Sequence, residues 1–289
     1  MTSNGKTRVV MLGTGTPRPD PNRSGPATAI VVNETPYLID FGAGVIRRAT
    51  AAYQNGVTAL GFGGINIKTV FLTHLHSDHT IGYPDLIFTP WVMGRNEPID
   101  VYGPTGLAFM TENVLKAWQV DVNARVGGLG NHEPAGCKVN AHEIAAGVVH
   151  QDRNVTVTAF SVRHEEMVDS FGFRFDTPDR VIVISGDTTP TQTLIGHSRG
   201  CDVLIHEAYS MDTYHSVSPR AQEYRRRHHT SSVELVEIAN NVKPSLLVVY
   251  HRSNMGGVPG SSDSEDVLLD EIRRSYGGRV VMGHDLDVF

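Results

Sequence analysis

Short apolar runs separated by turn residues recur along this chain, with longer amphipathic stretches between them. The run Arg8-Val9-Val10-Met11-Leu12 stops at Gly13-Thr14-Gly15-Thr16-Pro17, which predicts a buried strand entering a turn. Residues 27–32 and 36–39 flank Asn33-Glu34-Thr35 and predict a hairpin, followed by a helix over 45–54. Further strands are predicted at 68–72, 100–102, 137–142, 154–162, 170–176, 180–185, 202–205, 246–250 and 279–282. Helices are predicted at 105–119, 230–241 and 262–276, the second opened by Thr230-Ser231-Ser232 and Glu234. Strands in two sets, each followed by helices, predict an α/β architecture of two sheets packed face to face with helices outside. Residues 122–136, rich in glycine and polar side chains, read as an excursion or lid within an insertion at about 121–152.

Composition narrows the picture. Of 289 residues, 40% are hydrophobic and 19% charged, enough for a sizeable core and too apolar for a disordered chain. The net charge of −6 argues against a general polyanion binder. Arg225-Arg226-Arg227-His228 is a local exception and reads as a solvated helix face. Two cysteines, Cys137 and Cys201, form no Cys-x-x-Cys motif and no disulfide framework. No apolar stretch approaches the ~18 residues of a membrane span, and the first residues lack a signal-peptide core. A cytoplasmic chain is expected, or a periplasmic or secreted one if a leader has been removed. Gly13-x-Gly15 lacks the third glycine of a dinucleotide fingerprint, and Pro17 blocks a helix start.

The chemistry concentrates in Thr73-His74-Leu75-His76-Ser77-Asp78-His79-Thr80, directly after an apolar run. Imidazole and carboxylate ligands suit zinc, iron or manganese rather than calcium. His164, Asp187 and His251 each follow another β-like run, where layered folds tend to build metal sites.

In order along nearly the whole chain, these residues make it similar to the metallo-β-lactamase superfamily, and within it to the tRNase Z branch. The resemblance is carried by Gly13-Thr14-Gly15-Thr16, Asp40-x-Gly42-x-Gly44, the histidine segment, Tyr102-Gly103-Pro104, Arg163-His164, Phe171-Gly172-Phe173-Arg174, Ser185-Gly186-Asp187-Thr188, His206-Glu207-Ala208, His229-Thr230-Ser231 and Tyr250-His251. It implies an αββα four-layer sandwich in one domain spanning residues 1–289. It also implies two zinc ions, with manganese or iron(II) as substitutes. His74, His76 and His164 would hold one, Asp78, His79 and His251 the other, and Asp187 would bridge them. Two divalent cations less about three negative charges leave a residual charge near +1, suited to an anionic ester. Asp78, His229 and Glu207 are the candidate catalytic residues, with His229 as proton donor to the leaving group and Glu207 orienting its imidazole. Asp40 is expected to orient a ligand imidazole, and His206 to be structural. His132, His142, His150, His197, His215, His228 and His284 are expected mostly at the surface.

The segment between His164 and Asp187 departs from the tRNase Z pattern. There the family carries a long flexible arm that grips tRNA, whereas Phe175-Asp176-Thr177-Pro178-Asp179-Arg180 is a simple hairpin turn. The expected activity is therefore hydrolysis of a small phosphodiester or sulfate ester by attack of metal-bound hydroxide, as in phosphodiesterases and arylsulfatases of the superfamily. tRNA 3′ processing is the alternative, and lactonase-type hydrolysis a further one. Redox chemistry on iron and a non-catalytic binding module are the competing classes. A small-molecule ester is the expected partner, nucleic acid and membrane are not, and the apolar row Trp91-Val92-Met93 raises the prospect of a homodimer.

Overall fold

The computed structural model describes residues 7–167, 169–252 and 265–289. They divide into two compact units, Met1–Ile144 with Asp285–Phe289, and Ala145–His284. Each unit is built on one sheet.

In the first unit the strands lie in chain order: β1 (Thr7–Gly13), β2 (Ala27–Val32), β3 (Thr35–Ile39), β4 (Thr69–Phe71), β5 (Ile99–Gly103) and β6 (Val139–Glu143). The first three pair antiparallel, and β3 to β6 are parallel. The helices are α1 (Val45–Gln54), α2 (Ser77–Thr80), α3 (Tyr83–Val92), α4 (Leu107–Ala117) and α5 (Gln119–Gly127). Helix α1 buries Val45, Ile46, Ala49 and Ala52, an apolar stripe at helical spacing against the sheet's core.

The second unit repeats the plan. Strands β7 (Gly147–Gln151), β8 (Thr156–Ser161), β9 (Phe171–Asp176) and β10 (Val181–Ile184) are antiparallel neighbours. From β10 through β11 (Val203–Glu207) and β12 (Leu246–Tyr250) to β13 (Val280–Met282) the pairing is parallel. Its helices are α6 (Gln192–Ser198), α7 (Pro219–His228), α8 (Ser232–Val242) and α9 (Glu265–Ser275). Helix α8 opens with a capping box, Ser231 and Glu234 satisfying each other's backbone donors. In both units the candidate site residues follow parallel strands at their carboxyl ends: Asp40 after β3, His74 after β4, Asp187 after β10, His251 after β12. Open α/β sheets place ligands there.

Several expectations change. The helix predicted at 105–119 breaks at Trp118 (φ −98°, ψ 9°) into α4 and α5. The stretch 122–136 is partly helical: α5 runs to Gly127 and residues 128–133 are irregular, while β6 and β7 lie within 121–152. Helices α3, α6 and α7 were not expected, because Pro90 interrupts the first, the second is short, and the third has no apolar stripe. The apolar row at 91–93 is not one surface, since Trp91 is buried and Met93 is 44% exposed. The start of the helix predicted at 262–276 lies outside the described residues. Among the described residues no helix is long and apolar enough to cross a membrane.

Helix α3 survives Pro90 through a substitute donor. Pro90 has no N–H for the carbonyl of Leu86, four residues earlier. Buried Arg95 supplies one: Nη1 donates to Leu86 O at 3.1 Å, Nη2 to Ile87 O at 2.6 Å, and Nε to Gly136 O at 3.2 Å. A Cβ on Gly136 would fall 2.0 Å from Arg95 O, so only glycine fits there. Burial lowers the Arg95 pKa to about 10, which keeps the guanidinium charged at neutral pH. Arg95→Met should destabilise the protein by about 2–4 kcal/mol in urea denaturation, since buried carbonyls lose their donors. Adding Pro90→Ala should recover part of that loss by restoring an N–H to Leu86. A change under about 0.5 kcal/mol for Arg95→Met would refute this account.

Candidate metal centre

In the first unit the site is organised by a carboxylate. Asp40 leaves β3 in a left-handed conformation (φ 58°), which aspartate tolerates better than most residues. Its Oδ1 accepts from Thr73 N at 2.8 Å and its Oδ2 from His79 Nδ1 at 2.8 Å. The Thr73 hydroxyl lies 3.0 Å from both Asp40 oxygens and 3.0 Å from His74 Nδ1. With Nδ1–H of His79 donated to Asp40, the lone pair of that ring is on Nε2, 3.5 Å from Asp78 Oδ2. His74 Nε2 and His76 Nδ1 are 3.1 Å apart, and the His74 and His79 ring centres 4.1 Å. His74 and His79 are fully buried.

Backbone contacts hold this loop from behind. A Cβ on Gly42 would come within 2.4 Å of Gly25 C and 2.5 Å of Asp78 O. The Gly13-Thr14-Gly15 turn is pinned by Asp285, near the end of the chain. Asp285 Oδ1 accepts from Thr14 N and Oγ1 at 3.0 and 2.8 Å, and Oδ2 from Ser24 N at 2.7 Å.

The second unit holds a similar arrangement. Asp187 Oδ1 lies 3.4 Å from His251 Nδ1, and His251 sits at φ 41°, a strained conformation for histidine. His164 Nδ1 donates to the carbonyl of His228 at 2.8 Å, which leaves the lone pair on Nε2. Glu207, at the end of β11, accepts at Oε1 from His229 Nδ1 at 3.1 Å and from Thr188 N and Thr230 N at 3.2 Å. Burial pushes the Glu207 carboxyl above its usual range, and the His229 charge and hydrogen bond oppose that shift. Glu207 Oε2 is buried with no hydrogen-bond partner among the described residues. His206 donates from Nδ1 to Glu207 O at 2.6 Å, and burial lowers its pKa to about 4, so it is neutral and structural.

Donor atoms of His164, Asp187 and His229 lie within 4.8 Å of one another, as do those of Glu207, His229 and His251. Imidazole nitrogens and carboxylate oxygens so gathered fit a divalent cation of the zinc, iron or manganese type. The first unit thus brings together His74, His76, Asp78 and His79, and the second His164, Asp187, Glu207, His229 and His251.

His228 corrects the expectation of a surface residue. It is buried, with Nδ1 donating to Tyr224 O at 2.9 Å and Nε2 2.7 Å from Glu166 Oε2. Its carbonyl fixes the His164 tautomer. A backbone acceptor has no residue signature, and the adjacency to His229 was the only available signal. Thr73, Thr188 and Thr230, which complete the carboxylate cages, were likewise missed as functional neighbours.

Comparison with known proteins agrees with the fold. Residues 37–252 match the family described as "Beta-lactamase superfamily domain". The ribonuclease Z of Mycobacterium bovis (strain BCG / Pasteur 1173P2) is 30% identical over 284 residues, covering 96% of each chain. Among solved structures, the metallo-β-lactamase fold protein YhfI from Bacillus subtilis shares 17% identity with a TM-score of 0.74, covering 98% of each chain. Human tRNase Z, short form, shares 22% identity with a TM-score of 0.67 over 98% of each. These two likenesses concern the fold alone. Whole-length likeness to ribonuclease Z overturns the expectation that nucleic acid is not a partner. That expectation weighed net charge and arm length, yet phosphate binding depends on where cations sit, not on their total. The chain belongs to the β-lactamase superfamily, as a metallo-β-lactamase-fold hydrolase of its tRNase Z-like branch.

Proposed function

We propose that the chain is a metal-dependent endonuclease that cleaves an RNA phosphodiester at the 3′ end of precursor tRNA. The observation that carries this reading is the likeness to ribonuclease Z across 96% of both chains, so that length does not separate them. The chemistry of the residues supports it. Zinc ions held by His74, His76 and His164 and by Asp78, His79 and His251, with Asp187 shared, would supply a water of lowered pKa and positive charge against the phosphate. Asp40 fixes the His79 tautomer and the His228 carbonyl that of His164, so each presents a basic nitrogen. Glu207 holds His229 by Nδ1, which leaves Nε2 as the atom that passes a proton to the departing oxygen.

Incubating the zinc-loaded protein with a precursor tRNA transcript carrying a 3′ trailer should release the trailer by one cut. If the transcript stays intact while bis(p-nitrophenyl) phosphate is hydrolysed, the enzyme is a small-phosphodiester hydrolase instead.

Asp187→Ala should lower bound zinc, measured by elemental analysis, and abolish hydrolysis together, because two cations lose the carboxylate that screens them from each other. Retention of full metal and rate would refute the bridging role.

His229→Ala tests the proton donor. General acid catalysis contributes ~10²–10⁴-fold where the leaving group needs a proton, and nitrophenolate leaves without one. RNA cleavage should therefore fall by that factor, hydrolysis of the nitrophenyl ester far less, and zinc content not at all. Glu207→Gln should show the same selectivity in milder form. Loss of zinc, or equal slowing of both substrates, would make His229 a metal ligand or a structural residue.

A further inference from the structure

Helix α7 lies in the chain between Glu207 and His229, the pair assigned above to proton transfer, and runs directly into His229. Its sequence, Pro219-Arg220-Ala221-Gln222-Glu223-Tyr224-Arg225-Arg226-Arg227-His228, has no apolar stripe to bury. The helix is anchored by polar groups instead. Arg225 is buried with its guanidinium 5.8 Å from the centre of the Tyr209 ring, and His228 stacks on Tyr224 at 4.0 Å.

Arg220, Arg226 and Arg227 are exposed, with Glu223 as the only acid in the helix. Helix stability does not account for all three. Arg226 and Arg227 in the last turn complement the helix dipole, but Arg220 sits in the first turn, where a cation opposes it. Arg226 pairs with Glu223 at 2.6 Å and Arg227 with Glu165. Both Arg226 and Glu223 are half exposed or more, and such pairs are worth ~0–1 kcal/mol. A phosphate can replace the Glu223 carboxylate at little cost and offers bidentate, charge-assisted bonds in return. Arg163, whose side chain is 73% exposed and 4.0 Å from Glu165, extends the same patch. The end of the helix is tied to the site, since the His228 carbonyl holds His164.

We infer that the exposed arginine face of α7 grips the phosphate backbone of the RNA substrate beside the cleavage site. This deepens the ribonuclease reading and rests on it for the identity of the polyanion.

The test is binding of a fluorescein-labelled tRNA transcript without a 3′ trailer, followed by anisotropy between about 50 and 200 mM salt. The wild-type holoenzyme is compared with Arg220→Ala/Arg226→Ala/Arg227→Ala and with the corresponding triple lysine variant. Three lost phosphate contacts should weaken binding ~10–100-fold and flatten the logarithmic salt slope by about two. The lysine variant should keep most of the slope, because it keeps the charge. Hydrolysis of bis(p-nitrophenyl) phosphate by the same variants separates binding from misfolding: the affinity loss should greatly exceed any loss of that rate. Unchanged affinity and slope, no RNA binding by the wild type at low salt, or equal loss of affinity and small-ester turnover would each overturn the inference. If the wild type binds RNA through α7 but cuts no precursor, the inference stands and the nuclease reading falls.

Discussion

Asp40 accepts Thr73 N, the Thr73 hydroxyl and His79 Nδ1 while only 1% exposed, and most of the first unit's chemistry follows from that arrangement. An ionised carboxylate removed from water is costly unless its lone pairs are met, and the donors here are charge-assisted or backbone N–H groups. The parallel register that pairs Ile39 with Phe71 puts Asp40 and Thr73 just beyond adjacent strand ends. A single carboxylate can therefore fix both the turn leaving β4 and the imidazole two residues into α2. Glu207 does the equivalent in the second unit, where Thr188 N, Thr230 N and His229 Nδ1 converge on one oxygen.

The strands and the histidine segment were legible in the sequence because their signals are local. An apolar run bounded by Gly, Pro or Asp marks a strand wherever it occurs, so β12 was expected at its observed limits and β1 within a residue at either end. Helix α1 was legible for the same reason. What stayed hidden depends on partners distant in sequence. Helix α3 contains Pro90 and stands only because Arg95 supplies the missing donor, with Gly136 making room. The role of His228 lies in a carbonyl, and α7 is held by a buried arginine and a stacked histidine rather than by periodicity. Asp285 could not be linked to Thr14 from the sequence, since 271 positions separate them.

On the proposed ribonuclease reading, net charge was a poor guide to the substrate for a related reason. The value of −6 sums over the whole surface, whereas a nucleic acid backbone meets only the groups that face it. Four arginines within α7 are diluted in that sum to near invisibility, although one is buried and three are exposed beside the residues of the site. The short β9–β10 turn pointed the same way. Thr177 N donates to Arg180 O at 3.0 Å, so the hairpin closes tightly and offers no arm. With no arm at this turn, an RNA substrate of the proposed kind would have to be held by surfaces such as the exposed α7 arginines.

The two carboxylate–imidazole pairs are alike in geometry and differ in how the carboxylate is saturated. Both oxygens of Asp40 are met, so the ring of His79 is locked with Nδ1 protonated and Nε2 basic, the state a cation requires. Glu207 concentrates three donors on Oε1 and leaves Oε2 buried without a hydrogen-bond partner among the described residues. Burial raises the pKa of the Glu207 carboxyl, and the charge and hydrogen bond of His229 oppose that shift. The Nδ1–H of His229 is one of the three donors on Oε1, which leaves Nε2 of that ring facing away from the carboxylate. Each imidazole is held by its Nδ1, His79 on a carboxylate with both oxygens engaged and His229 on one with a single oxygen engaged. The proposed division, His79 to metal binding and His229 to proton transfer, follows this difference in how many oxygens of the carboxylate behind each ring are engaged.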